Sequence, residues 1–360
     1  MKFYGKPIEP DQAEKTGVLL VNLGSPDALD VPSIQRFLKE FLSDHRVIEI
    51  PQPVWQIILN LFILPFRPRK LVPLYQSIWT DDGSPLVAIA EQQKQKLEKH
   101  FQKAGKKDIC FALAMRYGQP DIRSVLKQLA EQNVRKILIF PTYPQYSGTT
   151  TASIFDAVTN ELQHWRWVPE LRFINQYHDE HAYIKALANS VKNHWQQQGQ
   201  ADKLIMSFHG LPKFCLDKGD PYYHQCHKTA HLLAETLGLD KQQWQITFQS
   251  RFGKVEWLKP YTSATLKELA KQGTQSVDVI CPGFAIDCLE TLEEIAVENR
   301  DVFIKAGGKQ YHYIPALNAT EEHVGVLARV IEEHTGGWGG RKRSALSVQK
   351  EPEQKDLSSN

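Results

Sequence analysis

The chain has 360 residues, 42% apolar and 23% charged, with a formal net charge of +2. That length exceeds one comfortable core and predicts about two domains, while the near-neutral balance excludes the basic footprint of a nucleic-acid binder. Five scattered cysteines fit reduced thiols rather than a disulfide framework, and residues 1–17 lack the apolar core of a secretory signal, so a cytoplasmic location is expected.

The first strand is predicted over 17–23 and closes on Gly24-Ser25-Pro26. One glycine is not the G-x-G-x-x-G that lets a backbone approach a pyrophosphate, which argues against NAD or FAD. A helix is predicted over 33–43. Residues 51–66, PQPVWQIILNLFILPF, form the most apolar stretch and precede Arg67, Arg69 and Lys70. The run at 54–66 is too short to cross a bilayer, which takes about twenty helical residues. Trp55, Ile58, Leu59 and Phe62 can form a lip that docks in a membrane interface or covers a large apolar ligand; the segment can equally be an ordinary buried helix.

A helix at 86–101 leads to a strand at 109–115 ending in Arg116-Tyr117-Gly118, and a helix at 121–132 leads to a strand at 136–140 and a loop with Tyr143 and Tyr146. This alternation predicts a parallel sheet covered by helices, with the site at the strands' carboxyl ends. An arginine among rings suits a flat, partly anionic ligand, although aromatics there also serve plain packing.

The second half repeats the theme, with strands predicted at 171–175, 204–208, 245–248, 277–280 and 311–314. His209 falls at a strand's carboxyl end, where an imidazole can bind metal or take a proton, or simply be a satisfied structural histidine. After Cys281-Pro-Gly the pattern turns helical from about Asp287, with Leu289, Leu292, Ile295 and Ala296 as its apolar stripe. Asp287, Glu290 and Glu294 are spaced i, i+3, i+7, and Glu290, Glu294 and Glu298 are spaced i, i+4, i+8. On an α-helix such a row can guide a cation or protons, or be a solvated face favoured by the helix dipole. A final helix is predicted over 321–333. Residues 336–360 read as a disordered polar tail, in which Arg341, Lys342 and Arg343 add little.

Taken together, the motifs are specific. Asn22-Leu-Gly-Ser-Pro26, Gly83-Ser-Pro-Leu86, Arg116-Tyr117, Tyr143-Pro-Gln-Tyr-Ser147, His209-Gly-Leu-Pro212, Gln249-Ser-Arg251, Trp257-Leu-Lys-Pro-Tyr261, Asp287-Cys-Leu-Glu-Thr-Leu-Glu-Glu294 and Pro315-Ala-Leu-Asn318 occur in an order that resembles the ferrochelatases, enzymes that insert ferrous iron into a porphyrin. The resemblance runs from about residue 17 to 318. It implies an α/β fold of two Rossmann-like parallel-sheet domains of chelatase type around a central cleft: 16–160 with an apolar lip at 51–75, then 161–315, then a helix at 316–335 crossing back to the first domain.

The resemblance also implies chemistry. Fe2+ would enter protoporphyrin IX to give protohaem, with release of two protons. His209 and Glu290 would share metal capture and proton removal, Asp287, Glu294 and Glu298 would form a metal or proton path, and Arg116, Tyr117, Tyr143 and Trp257 would line the porphyrin cleft. Cys288 stands where some members carry a histidine, which puts a further ligand there in doubt. Iron is a substrate, not a resident cofactor, and with no cysteine after Cys288 and no compact set of four, an iron–sulfur cluster is not expected. Cys215, His224, Cys226 and His227 are read as part of a surface loop and helix. The apolar lip favours a porphyrin with two propionates; coproporphyrin III, a cobalt-inserting relative and a non-catalytic haem carrier are the alternatives. A monomer is expected, in peripheral contact with the inner membrane or with the oxidase that precedes it in the haem pathway, and without nucleic acid.

Overall fold

The computed structural model describes residues 3–5 and 14–338. Two four-stranded sheets carry the fold. The first contains β1 (Lys15–Asn22), β2 (Ile109–Met115), β3 (Val134–Pro141) and β4 (Glu170–Phe173) in the order β2-β1-β3-β4. The second contains β5 (Lys203–His209), β6 (Trp244–Gln249), β7 (Ser276–Ile280) and β8 (Gln310–Ile314) in the matching order β6-β5-β7-β8. Every ladder is parallel. Strand direction of succession therefore reverses between β1 and β3, and again between β5 and β7, and each reversal opens a crevice at the carboxyl ends where ligands bind in such sheets.

The strands are continuous apolar runs because both faces are covered. In β1, Val18 and Leu20 face one core cluster while Leu19 and Val21 face another, and all four are at most 1% exposed. The covering helices are α1 (Val31–Leu42), α2 (Gln52–Ile58), α3 (Arg67–Ile78), α4 (Pro85–Lys103), α5 (Ile122–Glu131) and α6 (Thr151–Leu162), then α7 (His181–Gln198), α8 (Lys213–Asp217), α9 (Tyr222–Leu237), α10 (Thr262–Lys271), α11 (Arg300–Lys305) and α12 (Glu321–Thr335). α1 begins two residues before the predicted 33–43 because the Asp30 side chain accepts from Ser33 N at 2.7 Å and Pro32 suits the first turn.

Three expectations change. First, β4 pairs with β3, so the first sheet extends to Phe173 and the strand expected at 171–175 belongs to it, not to the second half. Second, residues 336–338 are not a loose tail: Trp338 is 7% exposed, its indole N–H donates to Glu170 Oε1 at 2.5 Å, and Arg172 lies over its ring. Trp338 thus packs on the face of the first sheet that carries Leu138, beside Lys136, whose Nζ donates to Trp338 O at 3.0 Å. The rest of the predicted tail, 339–360, lies outside the described residues. Third, the lip is not one outward-facing helix. α2 passes into a π-helical turn (Leu59–Ile63), and Trp55 and Leu59 point inward at 5% and 0% exposure, with the Trp55 indole donating to Leu42 O at 2.6 Å. Ile58 is half-buried, while Val54, Ile57, Leu61, Phe62 and Phe66 are 54–65% exposed. Among the described residues no helix is long and apolar enough to cross a membrane.

α12 packs against α4, held by Gln93 Nε2 donating to Asn318 O at 2.8 Å and Lys96 Nζ to Ala319 O at 2.7 Å. The two sheets' layers also meet where the loop after β3 touches α9: Tyr146 N donates to Gln225 Oε1 at 2.7 Å, and Gln145 Nε2 to Thr229 Oγ1 at 3.0 Å.

Candidate active site

β5 delivers His209 to the crevice between β5 and β7. Gly210 follows because nothing larger fits: a Cβ there would lie 2.7 Å from Gln249 O and 3.1 Å from the Trp257 ring. The imidazole is flanked by Trp257 and Phe284, with ring centroids 6.5 and 6.4 Å away. Its Nδ1 is 2.6 Å from Gly210 O, so Nδ1 carries the proton and donates it, leaving Nε2 as the basic nitrogen.

Across the crevice, the chain leaving β7 does not form the α-helix that the spacing predicts. Residues Glu290–Asn299 are a π-helix. Its i→i+5 hydrogen bonds place residues four and five apart on one side, and such segments cluster at functional sites. Glu290, Glu294 and Asn299 therefore succeed one another along one side, whereas Glu298 is displaced and exposed. Side chains bond the widened backbone: from neighbouring strands Gln249 Nε2 donates to Glu290 O at 2.9 Å and Tyr311 Oη to Ile295 O at 2.6 Å, and the π-helix's own Asn299 Nδ2 donates to Glu294 O at 2.8 Å.

Asp287 does not continue the row. It is 4% exposed, and its carboxylate accepts from Tyr313 Oη at 2.5 Å, Asn318 Nδ2 at 2.7 Å, Thr291 Oγ1 at 2.9 Å and Ala316 N at 3.3 Å. Asp287 lies in the non-helical segment before Leu289, outside the helix the spacing assumes, and Tyr313, Ala316 and Asn318 tie that segment to the end of β8 and the chain leaving it.

Glu294 is held by one residue on both oxygens. Ser250 N donates to Oε1 at 2.7 Å and the Ser250 hydroxyl donates to Oε2. Burial pushes the Glu294 carboxyl above its ordinary range, opposed by these hydrogen bonds and by positive charge on His209. Glu290 lies near Tyr75, Tyr143 and Cys288, whose ionisations are all driven up first by burial and then further by its charge among their neighbours. The Tyr143 hydroxyl and the Trp257 indole nitrogen are buried without a hydrogen-bond partner. Two such orphaned polar atoms at a crevice are available to a ligand.

Arg116 and Tyr117 are placed differently from the expectation. Tyr117 is 1% exposed and packs in the core cluster beneath the lip. Its hydroxyl donates to Asp44 Oδ2 at 2.8 Å, Arg116 Nη2 reaches the same oxygen at 2.6 Å, and Ser153 Oγ donates to it at 2.5 Å. Burial raises the Asp44 carboxyl, but these donors and the guanidinium charge bring it below its ordinary value. The Arg116 charge is thus already paired within the protein. Asp44 and Ser153 carried no signal in the sequence beyond an acid after a helix and a serine within one. Ser250 was visible only as the middle of Gln249-Ser-Arg251; its left-handed backbone, φ +62°, is one that glycine or asparagine announces and serine does not.

A duplicated 2-1-3-4 parallel sheet, with a histidine at one strand end facing the half-buried carboxylates Glu290 and Glu294 across the switch-point crevice, defines a two-domain protein of the chelatase type. The same architecture is found, at fold level, in SirB from Bacillus subtilis with Fe3+, which superposes with a TM-score of 0.54 at 13% identity over 91% of this chain and 98% of that one. A family model described as Ferrochelatase matches residues 15–335, and the chain belongs to the ferrochelatase family. Proteins named ferrochelatase from Pseudoalteromonas atlantica and Janthinobacterium sp. are 50% and 54% identical, over 91% and 90% of this chain and 91% and 88% of theirs. One from Nitrosococcus oceani is 48% identical over 97% of both chains. The chain is accordingly an enzyme whose substrates are a porphyrin and a metal ion.

Proposed function

We propose that the metal is Fe2+ and the porphyrin protoporphyrin IX, giving protohaem with release of two protons, in the last step of haem biosynthesis. The observation that carries the choice of porphyrin is the lip. α3 packs against the π-helix, and Tyr75 on α3 neighbours Glu290, so the exposed apolar side chains before α3 border the same crevice as the carboxylates. An apolar rim suits a ring with two propionates better than one with four carboxylates.

Insertion requires both pyrrolic N–H protons to leave and the macrocycle to bend. A crevice walled by Trp257, Phe284 and Tyr143 can supply the bending from binding energy spent on the ring's remote parts. His209 Nε2 and Glu290 share capture of the ion and removal of the protons; an imidazole and a carboxylate give mixed N/O ligation weak enough to release Fe2+ to the ring. Glu294 and the exposed Glu298 continue from Glu290 towards solvent as the path for protons or metal, with Asp287 as the anchor of that helix. Arg116 and Tyr117 support the wall through Asp44. No resident cofactor is proposed: burial pushes the thiols of Cys226, Cys281 and Cys288 well up, the reverse of what a thiolate ligand needs. The enzyme works as a cytoplasmic monomer whose lip touches a membrane surface or the porphyrin-supplying oxidase.

Anaerobic Fe2+ insertion into protoporphyrin IX and coproporphyrin III, side by side, tests this reading. A larger kcat/KM with protoporphyrin supports it. Turnover with coproporphyrin alone would overturn the substrate assignment, and haem binding without insertion of iron into either would overturn the reaction.

A further inference from the structure

A second group of metal-ligand side chains lies away from the crevice, on the face of the second sheet covered by α7. Asp278 on β7 pairs in register with His312 on β8, so both side chains emerge on one face, and His194 near the end of α7 comes down onto them. His312 Nδ1 is 3.0 Å and His194 Nε2 is 3.4 Å from the same oxygen, Asp278 Oδ1, and all three ligand atoms lie within 4.8 Å of one another. It is the one such three-residue group among the described residues.

Two features separate this group from a hydrogen-bonded core histidine pair. The His194 Nε2 atom is buried yet has no hydrogen-bond partner, although a carboxylate oxygen is 3.4 Å away. The second oxygen, Oδ2, is independently fixed by the Trp195 indole at 2.7 Å and Ala201 N at 3.2 Å, which orients Oδ1 in the way outer-shell donors orient a metal-binding carboxylate. Metal bonds of about 2.1 Å place adjacent ligand atoms about 3.0 Å apart in octahedral and about 3.4 Å apart in tetrahedral geometry. The two spacings to Asp278 Oδ1, 3.0 and 3.4 Å, fall in that range. Asp278 is 1% exposed, whereas the His194 and His312 side chains are 15% and 29% exposed, so an ion could be bound by a buried anion and still reach the site from solvent.

We infer that His194, Asp278 and His312 form a divalent transition-metal site distinct from the insertion crevice, which clamps α7 to β7 and the edge strand β8 of the second sheet. Two imidazoles and one carboxylate suit Zn2+, Fe2+ or Co2+ and disfavour the hard ions Mg2+ and Ca2+. The inference does not depend on which porphyrin the enzyme uses.

Co2+ is the probe, because its visible absorption reports coordination directly. The full chain carrying His209→Ala and Glu290→Gln, with the crevice ligands removed, is expected to bind one equivalent of Co2+ with visible bands and to unfold at a higher temperature when Co2+ or Zn2+ is present. Adding His312→Asn should weaken Co2+ binding at least tenfold and abolish the thermal shift, while far-UV circular dichroism without metal is unchanged; His194→Gln should do the same. Failure of the parent double variant to bind Co2+, or binding that survives both histidine substitutions, would overturn the site.

Discussion

Ser250 serves both oxygens of Glu294, its backbone N–H reaching Oε1 at 2.7 Å and its hydroxyl reaching Oε2, from a backbone at φ +62°. Non-glycine residues occupy that region at a cost, and where the surrounding structure maintains it the strain is a functional marker. Here it turns two donors onto a half-buried carboxylate that burial alone would protonate more readily. Ser250→Ala keeps the N–H and loses the hydroxyl. Since hydrogen bonds to a carboxylate contribute about 1.5–3 kcal/mol, iron insertion should fall by about tenfold or more. The acid limb of the rate profile should also move to higher pH, because the carboxyl holds its proton longer. An unchanged limb would remove Glu294 from the proton path.

Gly210 sets how closely the ends of β5 and β6 approach. Gly210→Ala would press on Gln249 O and the Trp257 ring, and Gln249 also holds Glu290 O. Overpacking of this kind costs about 1–3 kcal/mol. The expected result is a lower unfolding midpoint together with a loss of kcat of at least tenfold. Wild-type turnover in a destabilised variant would show that the loop's position does not matter to the chemistry.

His323, on α12, is fully buried with its pKa lowered by burial to about 4, and its Nδ1–H donates to Asn318 O at 2.7 Å. The unfolded chain takes this proton near 6.5 while the folded chain refuses it until about 4. Stability is therefore complete above about pH 6.5 and is lost as pH falls towards 4, by about 3 kcal/mol in all and about 2 kcal/mol by pH 5. Urea midpoints from pH 7 to 5 should fall more steeply for the wild type than for His323→Gln. Parallel slopes would contradict this assignment.

Leu61 and Phe62 in the lip and Arg69 and Lys70 on α3 are all exposed, which puts apolar area and positive charge within ten residues of one another. Leu61→Ser with Phe62→Ser should weaken co-sedimentation with anionic lipid vesicles by at least tenfold, given about 1.5–3 kcal/mol for each large side chain. Equal partitioning of variant and wild type would place the membrane contact elsewhere.

Much of this was legible from the chain. Strand-end positions of His209 and Tyr143 follow from where apolar runs stop, and the alternation of strands and helices predicted both parallel sheets. What stayed hidden has physical causes. A π-helix and an α-helix have the same composition, so the spacing of Glu290, Glu294 and Glu298 does not reveal the period that displaces Glu298, and nothing local shows that the helix begins only after Asp287, leaving that carboxylate outside it. Trp55, Leu59 and Phe62 share one face on an α-helical wheel, but Trp55 and Leu59 pack into the core beneath the lip, and the turn at 59–63 leaves Phe62 outside. The Asp44 contact with Arg116 and Tyr117 joins residues 72 and 73 positions apart, beyond the reach of any local pattern. The short strand at 170–173 gave no sign of which sheet it would join.

The central claim is that Glu290, on the π-helix facing His209, acts directly on the porphyrin's protons and the incoming ion. Single-turnover anaerobic Fe2+ insertion by Glu290→Gln, with porphyrin binding followed by fluorescence in the same samples, tests it most directly. The account predicts that porphyrin binds about as tightly as to the wild type while insertion slows by at least a hundredfold, within the about 10²–10⁴ range that a positioned acid or base contributes. Insertion at near wild-type rate by Glu290→Gln would contradict it.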